Sequence, residues 1–157
     1  MKYISVYEKF VNKKHTLSGV ALIVDNSRIL LVHPRKFRGR RNNFSIPKGH
    51  VEGGDRLRSA LRELLEETGI ELGHMRPHTS FNYKYTKSGF AKDLQVFIYH
   101  VQKKDIQKYL KNGWEIKRSI YDRNEIYQAK FFNIDKAHSK LEPVLRKIMN
   151  KLKKKYI

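Results

Sequence analysis

Apolar residues along this chain arrive in short dense runs. Val20-Ala21-Leu22-Ile23-Val24 is one run and Ile29 to Val32 another, and Asp25-Asn26-Ser27 between them predicts a hairpin turn. Leu94 to Val101 predicts a further strand, with a partner at Thr79 to Thr86, and Tyr127 to Ile134 predicts one more. Leu57 to Thr68 carries a helical period. Leu141, Leu145, Ile148 and Leu152 mark a second amphipathic helix, placed at about 139–155. Ser139 and Glu142 have the spacing of a capping box there, and Pro143 suits a first helical turn. Asp105 to Tyr121 is ambiguous and reads as a helix-plus-loop insertion. Strands and helices interleave without the regular alternation of a doubly wound sheet. That predicts one α/β domain over residues 1–157, a mixed sheet sandwiched by helices.

The helix at Leu57 to Thr68 has two unlike faces. At about 100° per residue, Glu63, Glu66 and Glu67 share one face, while Leu57, Leu61, Leu64, Leu65 and Thr68 cluster on another. Carboxylates three and four residues apart repel one another. A cation removes that cost, and oxygen-only ligands suit a hard ion such as Mg2+ or Mn2+. The plainer alternative is a solvated acidic face paired with Arg56, Arg58 or Arg62. Gly69 supplies a helix stop, and Asp55 is placed to cap the start.

Composition narrows the chemistry. The 157 residues hold 34 Lys plus Arg against 15 Asp plus Glu, a net charge of +19. Such a field attracts polyanions, whether nucleic acid, polyphosphate or anionic lipid, although it also serves solubility alone. Basic residues concentrate in Arg35, Lys36, Arg38, Arg40 and Arg41, and again from Arg146 to Lys155. The absence of cysteine excludes disulfides, thiolate metal sites and a cysteine nucleophile. No apolar run approaches the roughly 20 residues of a membrane span, and Met1 to Lys14 is too charged for a secretory signal. The expectation is a cytoplasmic protein with no membrane partner. The oligomeric state stays open.

The stretch GHVEGGDRLRSALRELLEETGI, residues 49–70, carries the most specific signal. Gly49 is followed by five residues and Asp55, and later by Arg62, Glu63, Leu64, Glu66, Glu67, Gly69 and Ile70. This pattern resembles the signature box of the Nudix hydrolase family. It departs from that box twice. The first acid is Asp55 where the family has Glu, and six residues, not seven, separate it from Arg62. The resemblance implies an α/β/α sandwich with the box as a loop–helix–loop. It also implies hydrolysis of a nucleoside diphosphate linked to another group. By matching positions, Glu63, Glu66 and Glu67 are the implied divalent-metal ligands, with the Gly49 carbonyl as a further one. Arg62 is the implied holder of the glutamates. Family members differ in the base, so Glu63 and Glu125 both stand as candidates.

The segment Pro47-Lys48-Gly49-His50 is similar to the start of the box in diadenosine tetraphosphate hydrolases and in diphosphoinositol polyphosphate phosphohydrolases. It offers Lys48 to a substrate phosphate. In the former group an aromatic stacks on adenine near the position of Phe81-Asn82-Tyr83-Lys84-Tyr85. That makes Tyr83 and Tyr85 stacking candidates, Lys84 or Lys92 phosphate ligands, and Phe132 or Phe131 the other side of a sandwich. The alternative is that these alternating aromatics are core or cross-strand pairs. The resemblance implies cleavage of diadenosine tetraphosphate, a polyanionic nucleotide, to ATP and AMP. Removal of pyrophosphate or a cap from an RNA 5′ end is an alternative that the +19 charge and the Arg35–Arg41 run favour. Inositol pyrophosphate hydrolysis is another. A catalytically dead RNA-binding module is the non-enzymatic reading, and the intact Arg62, Glu63, Glu66 and Glu67 set argues against it.

Overall fold

A computed structural model describes residues 15–118 and 124–157. The central strand is β1 (His15–Val24), buried on both faces along Leu17 to Val24. It turns back into β2 (Arg28–Pro34), with Val24 opposite Arg28. Asp25-Asn26-Ser27 form the loop, and Asp25 and Asn26 take positive φ values of 51° and 54°, a conformation that Asp and Asn tolerate. A short strand β3 (Lys48–His50) lies antiparallel on Leu17 to Gly19 of β1. Helix α1 (Arg56–Thr68) follows, then the hairpin β4 (Thr79–Lys87) and β5 (Phe90–Val101). A single turn α2 (Lys103–Ile106), strand β6 (Ile126–Asn133), and helices α3 (Ile134–Lys140) and α4 (Arg146–Lys155) complete the described elements. The sheet runs β4-β5-β1-β2-β6, with β3 beside β1. Among the described strands β1 and β5 pair in parallel and the other pairs are antiparallel, so the sheet is mixed as expected.

Two cores sandwich that sheet. Val20, Leu22 and Val24 face α1, where Ala60 and Leu64 pack on Tyr99 and Phe131. Ala21 and Ile23 face the opposite layer, where Ala137, Ile148, Met149 and Leu152 of α3 and α4 cover Val96 and Ile98. Among the described residues no helix is long and apolar enough to cross a membrane.

The structure redraws three expectations. The buried line on α1 is Ala60, Leu64 and Thr68, and Leu65 stays 47% exposed. Leu65 lies about 100° around the helix from Leu64, past the edge of the contact. The helix expected over about 139–155 is two helices. Pro143 drives the residue before it out of the helical region, and Glu142 is extended at φ −56° and ψ 146°. The Glu142 N–H then donates to the Phe44 carbonyl at 2.9 Å, and Ser139 Oγ donates to Lys136 O in place of a cap. In the 105–121 segment the chain forms the end of α2, a 3-10 turn at Gln107–Tyr109 and a bridge from Leu110 to Ile116. Its last three positions lie outside the described residues.

The cap on α1 holds. Asp55 Oδ1 accepts the Arg58 N–H at 2.9 Å, and the helix stops at Gly69 with φ 78°. Asp55→Ala should cost about 1 kcal/mol of stability, read as a lower denaturation midpoint with turnover retained. An unchanged midpoint would contradict the capping role.

Candidate active site

The box is built against β1. Pairing of β3 with Leu17–Gly19 fixes the backbone of Lys48 and Gly49, and α1 then brings its glutamates onto it. The Glu63 carboxylate occupies the space that a Cβ on residue 49 would fill, so any side chain there would displace that carboxylate. One turn further along α1, Glu67 Oε2 accepts the Lys48 N–H at 3.0 Å. Arg62 joins the surrounding acids. Its guanidinium lies 3.2 Å from Glu63 Oε1, 3.2 Å from Glu66 Oε1 and 3.6 Å from Glu52 Oε1, and it donates to the His50 carbonyl at 3.5 Å.

These contacts set the protonation balance. Burial pushes the Glu67 carboxyl well above the usual range and neighbouring Glu63 adds to it, against the pull of Lys48. Glu63 is also raised, first by burial and then by Glu66, Glu125 and Glu52, with Arg62 opposing. Both acids therefore feel Glu125, which approaches from the loop before β6.

A cavity of about 400 Å³ opens here, lined by Glu67, Glu125, Glu142, Lys36, Lys48 and Lys87. Glu142 is 4% exposed and its Oε1 accepts from Lys87 Nζ at 2.8 Å. Burial holds Lys48 below the usual lysine range, Glu142 and Glu67 oppose this, and Lys87 and Lys36 reinforce it. A second cavity of about 330 Å³ adjoins the first. It shares Lys36, Lys48 and Lys87 and adds Lys92, Tyr85 and Phe90. No carboxylate lines it among the described residues. Burial lowers Lys92, as do Lys87 and Lys36.

Glu63, Glu67, Arg62, Lys48, Gly49 and Glu125 thus converge as the sequence suggests. Four others lie elsewhere. The Tyr83 hydroxyl donates to the Val144 carbonyl, and the ring packs beside α4 with Tyr85 at 5.5 Å. Lys84 is exposed on the other face of β4, at a separate small cavity. Phe132 stands edge-on to Phe44 at 5.0 Å in a third pocket, and Phe131 is fully buried against Trp114, so neither forms a sandwich with Tyr83. Tyr83→Ala should therefore cost about 1–3 kcal/mol of stability and leave the KM unchanged. A raised KM at unchanged stability would return Tyr83 to the substrate. Sequence reasoning missed Lys36, Lys87 and Glu142 as site residues. Lys87 shares the strand parity of Tyr83 and Tyr85, which was a usable signal, but Glu142 gave none beyond its false capping pattern.

The donors suit a hard divalent cation. The Glu63 carboxylate crowds the bare Gly49 backbone, Glu67 holds the Lys48 N–H beside it, and Glu63 raises the proton affinity of Glu67, a repulsion that a cation relieves. Among the described residues no three acidic or histidine side chains are gathered as a ligand set, because Glu66 is turned to Arg62. Magnesium does not need such a cage, since it is commonly held by one or two carboxylates together with substrate phosphates.

The family profile of the NUDIX domain matches residues 14–152. No curated protein matches the sequence. Solved structures do match. An Ap4A hydrolase from C. elegans in a binary complex superposes with TM-score 0.63 at 16% identity, covering 89% of this chain and 96% of that one. A NUDIX hydrolase from Nitrosomonas europaea gives 0.64 at 22% identity, covering 88% and 87%. A MutT protein from Methanosarcina mazei gives 0.65 at 13% identity, covering 91% and 95%. At these identities the likeness is one of fold.

Proposed function

Since the chain belongs to the Nudix hydrolase family and so is a pyrophosphohydrolase, we propose that it cleaves a polyphosphate-bridged dinucleotide, diadenosine tetraphosphate first, to ATP and AMP. One observation carries the reading: a carboxylate-lined cavity adjoins a carboxylate-free one, and three lysines belong to both. A long phosphate bridge needs such a pairing, with cations along its length and acids only at the bond that breaks. Lys36, Lys48, Lys87 and Lys92 hold the bridge, and Lys48 lies between the two chambers.

Nudix hydrolases generally use divalent metal ions, and here Mg2+ or Mn2+ would be held by Glu63, Glu67 and the Gly49 carbonyl. Such an ion supplies charge neutralisation on the phosphate oxygens and a lowered pKa for water. Arg62 keeps Glu63 in place through its fork of contacts. Glu125 lines the cavity beside Glu67 and has no ion-pair partner among the described residues, whereas Glu63 is committed to Arg62. Glu125 is therefore the acceptor of the attacking water's proton. The lysines stabilise the departing ATP, whose charge grows as the bond opens. Glu125→Gln should lower kcat about a hundredfold or more and leave KM near its parent value. Full activity in that variant would move the base to Glu63.

Turnover across a panel tests the substrate. Diadenosine tetraphosphate, 5′-triphosphorylated and capped RNA, an inositol pyrophosphate and nucleoside diphosphate derivatives would be compared at one Mg2+ concentration. The dinucleotide should have the highest kcat/KM. Cleavage of RNA ends alone would overturn the assignment of substrate and leave the family assignment standing.

A further inference from the structure

The basic run Arg35 to Arg41 finds only partial use in the hydrolytic cavities, where Lys36 is its contribution. Its other end belongs to a separate pocket of about 490 Å³, the one that holds Phe132. Four rings form a continuous floor there. Tyr127 stands edge-on to His33 at 5.8 Å, His33 stacks on Phe44 at 4.6 Å, and Phe44 meets Phe132 edge-on at 5.0 Å. His33 and Phe44 are each 6% exposed and form the fixed base, while Tyr127 and Phe132 are half-buried, with the Arg118 guanidinium 5.3 Å from the Tyr127 ring and Lys130 Nζ 5.4 Å from the Phe132 ring.

Four cations rim this floor: Arg40 and Arg41 from the loop, Lys130 from β6 and Lys140 from the end of α3. No carboxylate lines the pocket, and none pairs with these four among the described residues. Two acids are paired through the backbone with pocket residues, and both side chains are engaged elsewhere: Glu115, bridged to Lys130, goes to Lys111 at 3.3 Å, and Glu142, bonded to the Phe44 carbonyl, goes to Lys87 at 2.8 Å. The loop is also held in place. Phe37, which lines the hydrolytic cavity, offers its carbonyl to His33 Nε2 at 3.0 Å, and the Arg40 guanidinium lies 5.9 Å from the Phe37 ring. The loop from Arg35 to Arg41 is thus a wall between the two sites.

We propose that this pocket is a second site that binds single-stranded nucleic acid, independent of the hydrolytic cavity. Half-buried rings beside cations that no carboxylate pairs are what a single strand needs, since bases stack on any ring face and phosphates take the charges. A duplex fits poorly, because its bases are not available to Tyr127 and Phe132. The site also gives part of the +19 charge a location, which general solubility does not.

The test is fluorescence anisotropy with a 3′-labelled oligouridylate of about ten nucleotides, a length that one such site covers. Its 5′ end is a hydroxyl, so it offers no phosphoric anhydride to the hydrolytic cavity. Arg41→Glu combined with Lys140→Glu should weaken binding at least about tenfold and flatten the salt dependence. Lys154→Glu combined with Lys155→Glu makes the same change in net charge on α4 and should cost about twofold at most. Phe132→Leu keeps the charge and the apolar packing, and should weaken binding about tenfold with the salt dependence unchanged. Glu67→Gln should bind as the parent does, which separates this site from the hydrolytic one. Equal losses in the two charge variants, parent-like binding by Phe132→Leu, or equal affinity for a duplex would each overturn the proposal.

Discussion

Glu67→Gln should lower turnover by about a thousandfold or more and leave the protein folded. The side chain sits where the cation would, it accepts the Lys48 N–H at 3.0 Å, and it lines the cavity. Glutamine keeps the shape and the carbonyl acceptor but loses the charge. A thousandfold corresponds to about 4 kcal/mol of transition-state stabilisation, within reach of one ligand in a dry phosphate site. Stability moves the other way. The folded protein raises this carboxyl, chiefly through burial and then through Glu63. A raised acid does not oppose folding below the ordinary glutamate value of about 4.3, where both states are protonated. Its contribution is lost as pH rises through the folded value, because the ionised form is disfavoured in the site. The variant should therefore melt at or above the parent in chelator, with the gap opening as pH rises from the ordinary glutamate value through the raised folded one. Near-normal turnover, or a melting temperature well below the parent's at pH 8, would contradict this account of Glu67.

Gly49→Ala is the second large effect. The new Cβ would land on the Glu63 carboxylate, and the overlap involves its terminal carbon and oxygen, not loose space. Glu63 must move, and with it goes the contact to Arg62 Nη2 at 3.2 Å. Displacements of about 1 Å in a catalytic constellation cost on the order of a hundredfold, so kcat should fall by at least that much. The secondary structure should persist, because β3 keeps its pairing with Leu17–Gly19 through backbone groups. Circular dichroism and kcat measured on the same preparation check both statements. Full activity would mean that Glu63 does not work from the position it holds here.

Much of this architecture is readable in the chain, for local reasons. The run Val20 to Val24 is buried on both faces and needs no context, and Asp25-Asn26 carry the turn in their own side-chain chemistry. The box on α1 is equally local, since Glu63, Glu66 and Glu67 lie within two turns. What escaped depends on distant partners. The strand Lys48–His50 has no apolar pattern and exists because Leu17–Gly19 lies beside it. Glu142 fits a capping box by spacing, yet Pro143 forbids the helix there and the carboxylate meets Lys87, 55 residues away in sequence. The parity of Tyr83 and Tyr85 was legible, but not which face α4 would cover. The separation of Phe132 from Tyr83 escaped for the same reason, since Phe132 meets Phe44 from β6, the opposite edge of the sheet from β4.

The central claim is hydrolysis of a dinucleotide at the cavity of Glu67 and Glu125. Cleavage of diadenosine tetraphosphate in 18O-labelled water, followed by mass spectrometry of the products, tests it most directly. Attack on a terminal phosphate with the lysines holding the rest predicts labelled AMP and unlabelled ATP, and no label transfer with Glu67→Gln. Label in ATP, formation of ADP alone, or no cleavage with Mg2+ or Mn2+ present would contradict it.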